Sequence, residues 1–183
     1  MSPLTWVIGI VVVLVLLVVF LYNALIRLKN QVENSWAQID VQLKRRHDLI
    51  PNLIETVKGY AKHEKSVFTD VTKARTEVMK QTDVHKKAAA SNMLTDALKS
   101  VFAVAEAYPD LKANQNFLQL QEELSGTENK ISYARQHYND MVMLFNTKIQ
   151  TFPNNMIANM LKFTDMEMFD VPEGEKKNVK VQF

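Results

Sequence analysis

The chain has 183 residues, of which 47% are apolar, enough for one domain of ordinary size with its own core. Four glycines, five prolines and no cysteine exclude collagen-like chains, disulfide scaffolds and cysteine-ligated metal centres, and they argue against a turn-dense β sandwich. The 22 basic and 20 acidic residues leave a net charge of +2, which is too weak to favour nucleic acid as a partner.

The first segment is apolar and uncharged as far as Arg27. Fourteen of the fifteen residues from 7 to 21 are Val, Leu, Ile or Phe. Residues 4–23 supply the roughly 20 residues with which a helix crosses about 30 Å of hydrocarbon. The predicted membrane-spanning residues include Leu4, Trp6, Leu14, Phe20 and Tyr22. The Trp and Tyr rings lie near the two ends of the segment, as is usual at membrane interfaces.

A cleaved signal peptide and a buried core helix are the alternatives for this segment. No basic residue precedes the apolar run and no A-x-A-like exit follows it, which argues against a signal peptide. Val and Leu occupy every face, which argues against a core helix. We therefore predict one uncleaved span in the cell membrane. Arg27 and Lys29 follow it, so the positive-inside rule places the remainder in the cytoplasm, with the extracytoplasmic or periplasmic side as the alternative.

After the apolar run, a stripe at helical spacing predicts that the same helix continues with one face on a core. The stripe comprises Leu25, Leu28, Val32, Trp36, Ile39, Leu43, Ile50, Leu53, Val57 and Tyr60. Pro51 lacks an N–H, so it deprives the carbonyl of His47 of its helical partner and predicts a kink. Gly59 marks a possible second bend.

Three further helical patterns follow. The first ends near residues 81–83, the second covers about 87–107, and the third covers about 111–151. The third has a strict seam of Phe117, Leu120, Leu124, Thr127, Ile131, Ala134, Tyr138, Met141 and Phe145. A split at Ser125-Gly126, with Thr127 as an N-cap, is the alternative, and the unbroken register favours one continuous helix. A short apolar helix follows Pro153. The predicted fold is all-α: a single transmembrane helix (residues 1–23) continuing into an antiparallel bundle of three to four long helices (24–171), with a short C-terminal helix and a flexible tail (172–183).

A polar break interrupts the seam of each long helix. Arg46 falls in the slot between Leu43 and Ile50, and a matching break follows Thr127. We hypothesise that Arg46, or Arg45, bonds Glu128 inside the bundle and fixes its register, because a buried guanidinium needs a partner. The alternative is that Arg46 extends to water and Glu128 is exposed. The residues assigned to this layer are Arg45, Arg46, Asp48, Asn52, Glu128 and Asn129.

No catalytic, cofactor-binding or metal-binding set is recognisable in the sequence. His63-Glu64 lacks the second histidine of a zinc protease, and no two glycines are close enough for a phosphate loop. Lys44-Arg45-Arg46 is flanked by acidic residues, which argues against a nucleic-acid patch. Six of the nine methionines follow residue 140. Met156, Met160, Met166 and Met168 are interpreted first as wrapping the bundle, with another subunit or the bilayer as alternatives.

Several blocks resemble the LemA family. Residues 38–64 (QIDVQLKRRHDLIPNLIETVKGYAKHE) carry its signature, and residues 22–38 resemble the family's start just after its hydrophobic segment. Residues 108–140 and 142–158 are similar to its later parts. The resemblance implies a bacterial membrane protein with a helical bundle and no established enzymatic activity. Some relatives carry a lipoprotein-type N-terminus, which places the bundle outside the cytoplasm, but this chain has no cysteine for it.

These features together predict a membrane-anchored, non-enzymatic scaffold without a cofactor. The expected partners are the lipid bilayer, further copies of the chain as a homo-oligomer, and other membrane proteins. The first alternative is an adaptor for a membrane protease or signalling protein. A metal-dependent hydrolase that uses the cluster around His47 is a less favoured alternative, because one histidine with scattered carboxylates is a poor ligand set.

Overall fold

The computed structural model describes residues 2–169. Within them the chain forms six helices and no strand: α1 Pro3–Lys58, α2 Lys65–Lys80, α3 Val84–Glu106, α4 Pro109–Lys112, α5 Gln115–Gln150 and α6 Asn154–Met160. The predicted all-α fold is therefore confirmed. The predicted tail from residue 172 onward lies outside the described residues.

Two compact units divide the described chain, and α1 and α5 each contribute to both. Unit 1 contains residues up to Ala37 together with His137–Glu167, and unit 2 contains Gln38–Gln136 with residues 168–169. In unit 1 the Trp36 and Tyr138 rings lie 5.3 Å apart. In unit 2 Arg46 bonds Glu128. Within unit 2, Asn114 also contacts Tyr60, which lies 14 residues after Arg46, while Asn114 lies 14 residues before Glu128, so α1 and α5 run antiparallel there.

This register accounts for the apolar core that α1 and α5 contribute. Residues that it places opposite one another are buried on both helices: Leu25 and Ile149, Val32 and Val142, Leu43 and Ile131, Ile50 and Leu124, Val57 and Phe117. Heptad-like spacing on both helices brings an apolar pair to the interface every three or four residues. The long seam is therefore the part of the sequence pattern that sets the bundle.

The start of α5 differs from the prediction. The expected helix over 111–151 is split into α4 and α5 at Asn114, and α5 begins at Gln115. The Asn114 side chain accepts a hydrogen bond from the N–H of Phe117 (3.0 Å) and donates one to the Tyr60 hydroxyl (3.0 Å). Asn114 thus caps the new helix, which is a common role for an Asn side chain. Gly126, by contrast, lies inside α5 without ending it.

In unit 2, α2 and α3 form a hairpin whose apolar faces are buried. The buried residues of α2 are Phe68, Val71, Ala74 and Val78, and those of α3 include Leu94, Leu98 and Val101. Asp83 caps α3 by accepting a hydrogen bond from the N–H of Lys86 at 2.9 Å. α2 ends at Lys80, close to the predicted end at 81–83, so three residues separate it from α3.

In unit 1 the chain after α6 returns along α5. The Phe163 ring meets Phe145 at 5.7 Å, and Asn146 exchanges two hydrogen bonds of 2.9 Å with the backbone of Met166. The Tyr138 hydroxyl donates to the carbonyl of Glu167 at 2.9 Å. Burial raises the pKa of Tyr138, and the nearby Glu167 charge raises it further. The returning segment is thus held by specific polar contacts.

Pro51 lies within α1, and the helix continues past it to Lys58. The carbonyl that Pro51 leaves without an N–H belongs to His47. In unit 2 this carbonyl accepts a hydrogen bond from Nε of Arg75, on α2, at 3.0 Å. A charged side chain of a neighbouring helix therefore satisfies the gap in the ladder, as a partly buried carbonyl requires. The kink itself stays a prediction.

We expect Arg75→Ala to lower the free energy of unfolding by about 1–2 kcal/mol, because the His47 carbonyl then loses its donor. In a Pro51→Ala background the new N–H of residue 51 restores the helical bond, so the same substitution should cost less. Urea unfolding followed by circular dichroism measures both. Lys73→Ala, an exposed change on the same helix, is the control. Equal costs of Arg75→Ala in the two backgrounds would contradict this role.

Candidate functional site

The most unusual group in the described chain is a buried arginine in the α1 seam. Arg46 is 1% exposed, and its position in the heptad pattern is one that otherwise holds apolar side chains. Its Nη1 donates to a carboxylate oxygen of Glu128 on α5 and to Oγ1 of Thr95 on α3 at 3.0 Å. Its Nη2 donates to Oγ of Ser91 at 2.7 Å. Three helices of unit 2 therefore meet at one guanidinium.

A second buried arginine shares the Ser91 hydroxyl. Arg135, on α5, is 5% exposed, and its Nη2 donates to Oγ of Ser91 at 2.7 Å. The Arg135 guanidinium also lies over the ring of Phe169, 4.9 Å from its centroid, which is a cation–π contact. We refer to Arg46, Ser91, Thr95, Glu128 and Arg135 as the arginine cluster.

The carboxylate of Glu128 binds more than one member of the cluster. Its second oxygen accepts a hydrogen bond from Oγ1 of Thr95 at 3.2 Å, while the side chain as a whole remains 34% exposed. One edge of the cluster therefore reaches solvent, whereas Arg46 and Ser91 do not. Nε of Arg46 has no hydrogen-bond partner among the described residues.

Burial of the Arg46 guanidinium costs free energy, because the charged group loses its hydration. Desolvation lowers the pKa of Arg46, and the charge and hydrogen bond of Glu128 oppose that shift. A guanidinium nevertheless stays protonated in proteins, so its charge is buried rather than removed. A buried ion pair is often no more stabilising than apolar residues of the same volume. Specificity of helix register is the gain that such a cluster can give in exchange.

The structure brings together only part of the layer that the sequence suggests. Arg46 and Glu128 are in contact, but Arg45, Asp48, Asn52 and Asn129 are exposed. Ser91 and Thr95 of α3 supply the acceptors that were expected from Asp48 or Asn52. The reason is geometric: residues two and six positions from Arg46 lie on other faces of α1. Asn52 instead lines an open groove with Gln119 and Glu123.

Sequence reasoning missed the α3 residues and Arg135. The sequence seam passes through Ala134 and Met141, whereas the buried positions are Arg135 and Val142. The buried face of α5 advances four residues from Ile131 to Arg135, whereas the predicted seam advances three residues, to Ala134. Ser91 follows the buried Ala88 at the spacing of the α3 core, and this spacing is the sequence feature that indicates a buried Ser91. A polar residue on an apolar stripe of α3 could have been matched to Arg46.

His47 is the centre of the hydrolase alternative, and its polar neighbours are one carboxylate and one guanidinium. Its Nδ1 lies 3.1 Å from a carboxylate oxygen of Asp48 and 3.4 Å from Nη2 of Arg75. A guanidinium beside an imidazole nitrogen repels a metal cation at that position. Over residues 2–169, no group of three or more His, Asp or Glu side chains is arranged to hold a metal ion.

The N-terminal part of α1 has a different character from the bundle. None of its most apolar stretch is buried inside the protein, and by length and composition α1 is the one helix within residues 2–169 that could cross a membrane. The residues singled out from the sequence are all exposed: Leu4 66%, Trp6 64%, Leu14 54%, Phe20 70% and Tyr22 41%. Such a contiguous apolar surface is typical of a segment that contacts lipid or protein.

Replacing Glu128 tests the cluster directly. We expect Glu128→Ala to lower the free energy of unfolding by about 1–3 kcal/mol, because it leaves the buried Arg46 without its charged acceptor. Asn129→Ala, an exposed change at the next position, should stay within about 0.5 kcal/mol of the native chain. In the double variant Arg46→Met/Glu128→Met the loss should be partly recovered. Chemical denaturation of the full chain in detergent measures all three, and equal losses for the two single variants would contradict the assignment.

Comparison with known proteins places these features in a family. Residues 35–183 match the model of the LemA family. Protein LemA of Metamycoplasma hominis is 30% identical over 162 residues, which cover 86% of this chain and 72% of that protein. Magnetosome protein MamQ 2 of Paramagnetospirillum magneticum is 25% identical and MamQ of Magnetospirillum gryphiswaldense 23%, each alignment covering 84% of this chain and 66% of the relative. The long antiparallel helices, the apolar start of α1 and these matches lead to one conclusion: the chain belongs to the LemA family.

Proposed function

We propose that this protein is a membrane-anchored helical scaffold that acts by associating with itself or with other membrane proteins. The observation that carries the proposal is the continuity of α1. This single helix of 56 residues begins as an exposed apolar segment and ends as a core helix of the bundle. In this proposal residues 1–23 are the anchor, residues 24–171 the interacting body, and residues 172–183 a flexible tail.

Insertion into a bilayer would remove the exposed apolar side chains at the start of α1 from water. At about −0.3 to −0.6 kcal/mol per Val, Leu, Ile or Phe, the fourteen such residues between positions 7 and 21 favour insertion by about 4–8 kcal/mol. Confinement to a bilayer also raises the effective concentration of the anchored bodies, so that weak contacts between them become effective.

The arginine cluster supports a structural role more than a catalytic one. Its hydroxyls and carboxylate are bound to guanidinium groups, and Arg46 and Ser91 are closed to solvent, so a substrate has no access to them. The contact of Arg75 with His47 likewise disfavours a metal-dependent hydrolase at that histidine. We therefore assign the cluster the task of fixing the register of α1, α3 and α5.

Self-association can be tested in lipid vesicles with chains labelled at one position. Since the chain has no cysteine, Met79→Cys on the exposed side of α2 gives a single attachment site for donor and acceptor dyes. We expect energy transfer to persist when the lipid-to-protein ratio is raised, and to fall when unlabelled chain is added. Energy transfer that decreases simply in proportion to lipid dilution would indicate a monomer and contradict self-association.

The side of the membrane is a separate test. By the positive-inside rule we propose that the bundle lies in the cytoplasm, since Arg27 and Lys29 follow the anchor. In bacterial spheroplasts, Met93→Cys should react with a membrane-impermeant maleimide only after lysis. Ser2→Cys, at the opposite end of the anchor, is the matched variant and should react in intact spheroplasts. The reverse pattern would place the bundle outside the cytoplasm.

A further inference from the structure

The short helix α6 presents an apolar row to the outside of unit 1. Met156 and Met160 lie on α6, and Phe152 lies in the turn just before it; the three follow one another at intervals of four residues and are 64%, 66% and 79% exposed. The other side of the helix is buried through Ile157 and Ala158. The row is therefore not a part of the core that happens to be loosely packed. It is the outer face of a helix whose inner face is already occupied.

The register of α1 and α5 fixes the level of this row along α1. From the contact of Trp36 with Tyr138, antiparallel helices of equal rise place Gln150 opposite Ala24. Leu25 and Ile149, which this register makes neighbours, are 0% and 7% exposed. Phe152, two residues after the end of α5, therefore lies close to the level of Tyr22, the aromatic residue at the end of the apolar segment. The row thus lies where the exposed apolar part of α1 begins.

The returning chain confirms that α6 is at the end of unit 1. Gln150, the last residue of α5, donates to the carboxylate of Asp165 at 3.0 Å, and Phe163 meets Phe145. Residues 151–162 therefore form the turn between the descending α5 and the returning segment. Lys148 and Lys162 flank this turn and are exposed. Exposed lysines close in sequence to an apolar segment favour contact with anionic lipid headgroups.

We propose that Phe152, Met156 and Met160 insert into the boundary between headgroups and acyl chains of the membrane that α1 enters. This inference rests on the proposed insertion of residues 1–23. It makes α6 a second attachment to the bilayer, beside the transmembrane helix. A helix that spans the membrane alone leaves its body free to rotate and tilt, and a second contact at the same level restricts both. The proposed occupant of the face is lipid, and a second copy of the chain is the competing occupant that the test below distinguishes.

Nitroxide labels at single cysteines test the proposal in the full chain, reconstituted into vesicles of phosphatidylcholine and phosphatidylglycerol. Met156→Cys reports on the row. Met93→Cys on α3 is the matched control, because the two methionines are exposed to almost the same degree, 64% and 62%. Leu14→Cys reports on the anchor. For each label the collision rates with oxygen, which concentrates in lipid, and with a water-soluble nickel chelate are measured by power saturation.

The inference predicts a ratio of oxygen to nickel collisions several-fold higher at position 156 than at position 93, and highest at position 14. Equal ratios at 156 and 93, with position 14 still in lipid, would overturn the membrane contact of α6 and leave the anchor intact. A water-like ratio at position 14 would overturn the proposed insertion itself. Spin–spin broadening at position 156 that disappears on dilution with unlabelled chain would assign the face to a second copy and overturn the lipid contact. A nitroxide at Asn159→Cys gives a further check. In the triple variant Phe152→Ser/Met156→Ser/Met160→Ser its ratio of oxygen to nickel collisions should fall, while the bundle is retained.

Discussion

The guanidinium of Arg46 is the constraint around which unit 2 is arranged. It occupies a seam position of α1, where solvent cannot reach it, and its donors require acceptors from α3 and α5 at fixed positions. An apolar residue in the same place would be satisfied by many registers, since leucine contacts are not directional. A planar group with several donors is satisfied by very few. The apolar seam thus supplies the attraction between the helices, and in the proposed role the arginine cluster selects one alignment among those that the seam permits.

Arg75 and Pro51 show the same relation on a smaller scale. A proline within α1 removes one donor from the helical ladder, and the carbonyl of His47 that loses its partner finds another on α2. The carbonyl that Pro51 leaves unpaired in α1 thus joins α1 to α2 through a hydrogen bond. Both features place a polar group at a position where a side chain of a neighbouring helix supplies its hydrogen-bond partner.

The sequence predicts the long helices well and the contacts between non-adjacent helices only in part. Apolar periodicity is a property of one helix at a time, so it identifies α1 and most of α5, and the mismatch of Arg46 with that periodicity points to Glu128. The partners on α3 depend on how a third helix is rotated, which periodicity in an alanine-rich segment such as residues 88–90 hardly defines. The break at Asn114 combines a local cap on Phe117 with a hydrogen bond to Tyr60, 54 residues earlier, and apolar periodicity contains neither. Exposure of the α6 row likewise becomes visible only when its buried side is known.

The distance in sequence between the two halves of the seam has a consequence for biosynthesis. Arg46 and Glu128 are 82 residues apart, and all of α2 and α3 is translated between them. At about 5–20 residues per second, the ribosome needs roughly 4–16 s to reach Glu128 after it has added Arg46. During that interval the apolar stripe of α1 has no permanent cover and its arginine no carboxylate. The polar pair that joins α1 to α5 can therefore form only after both helices of the intervening hairpin have been synthesised.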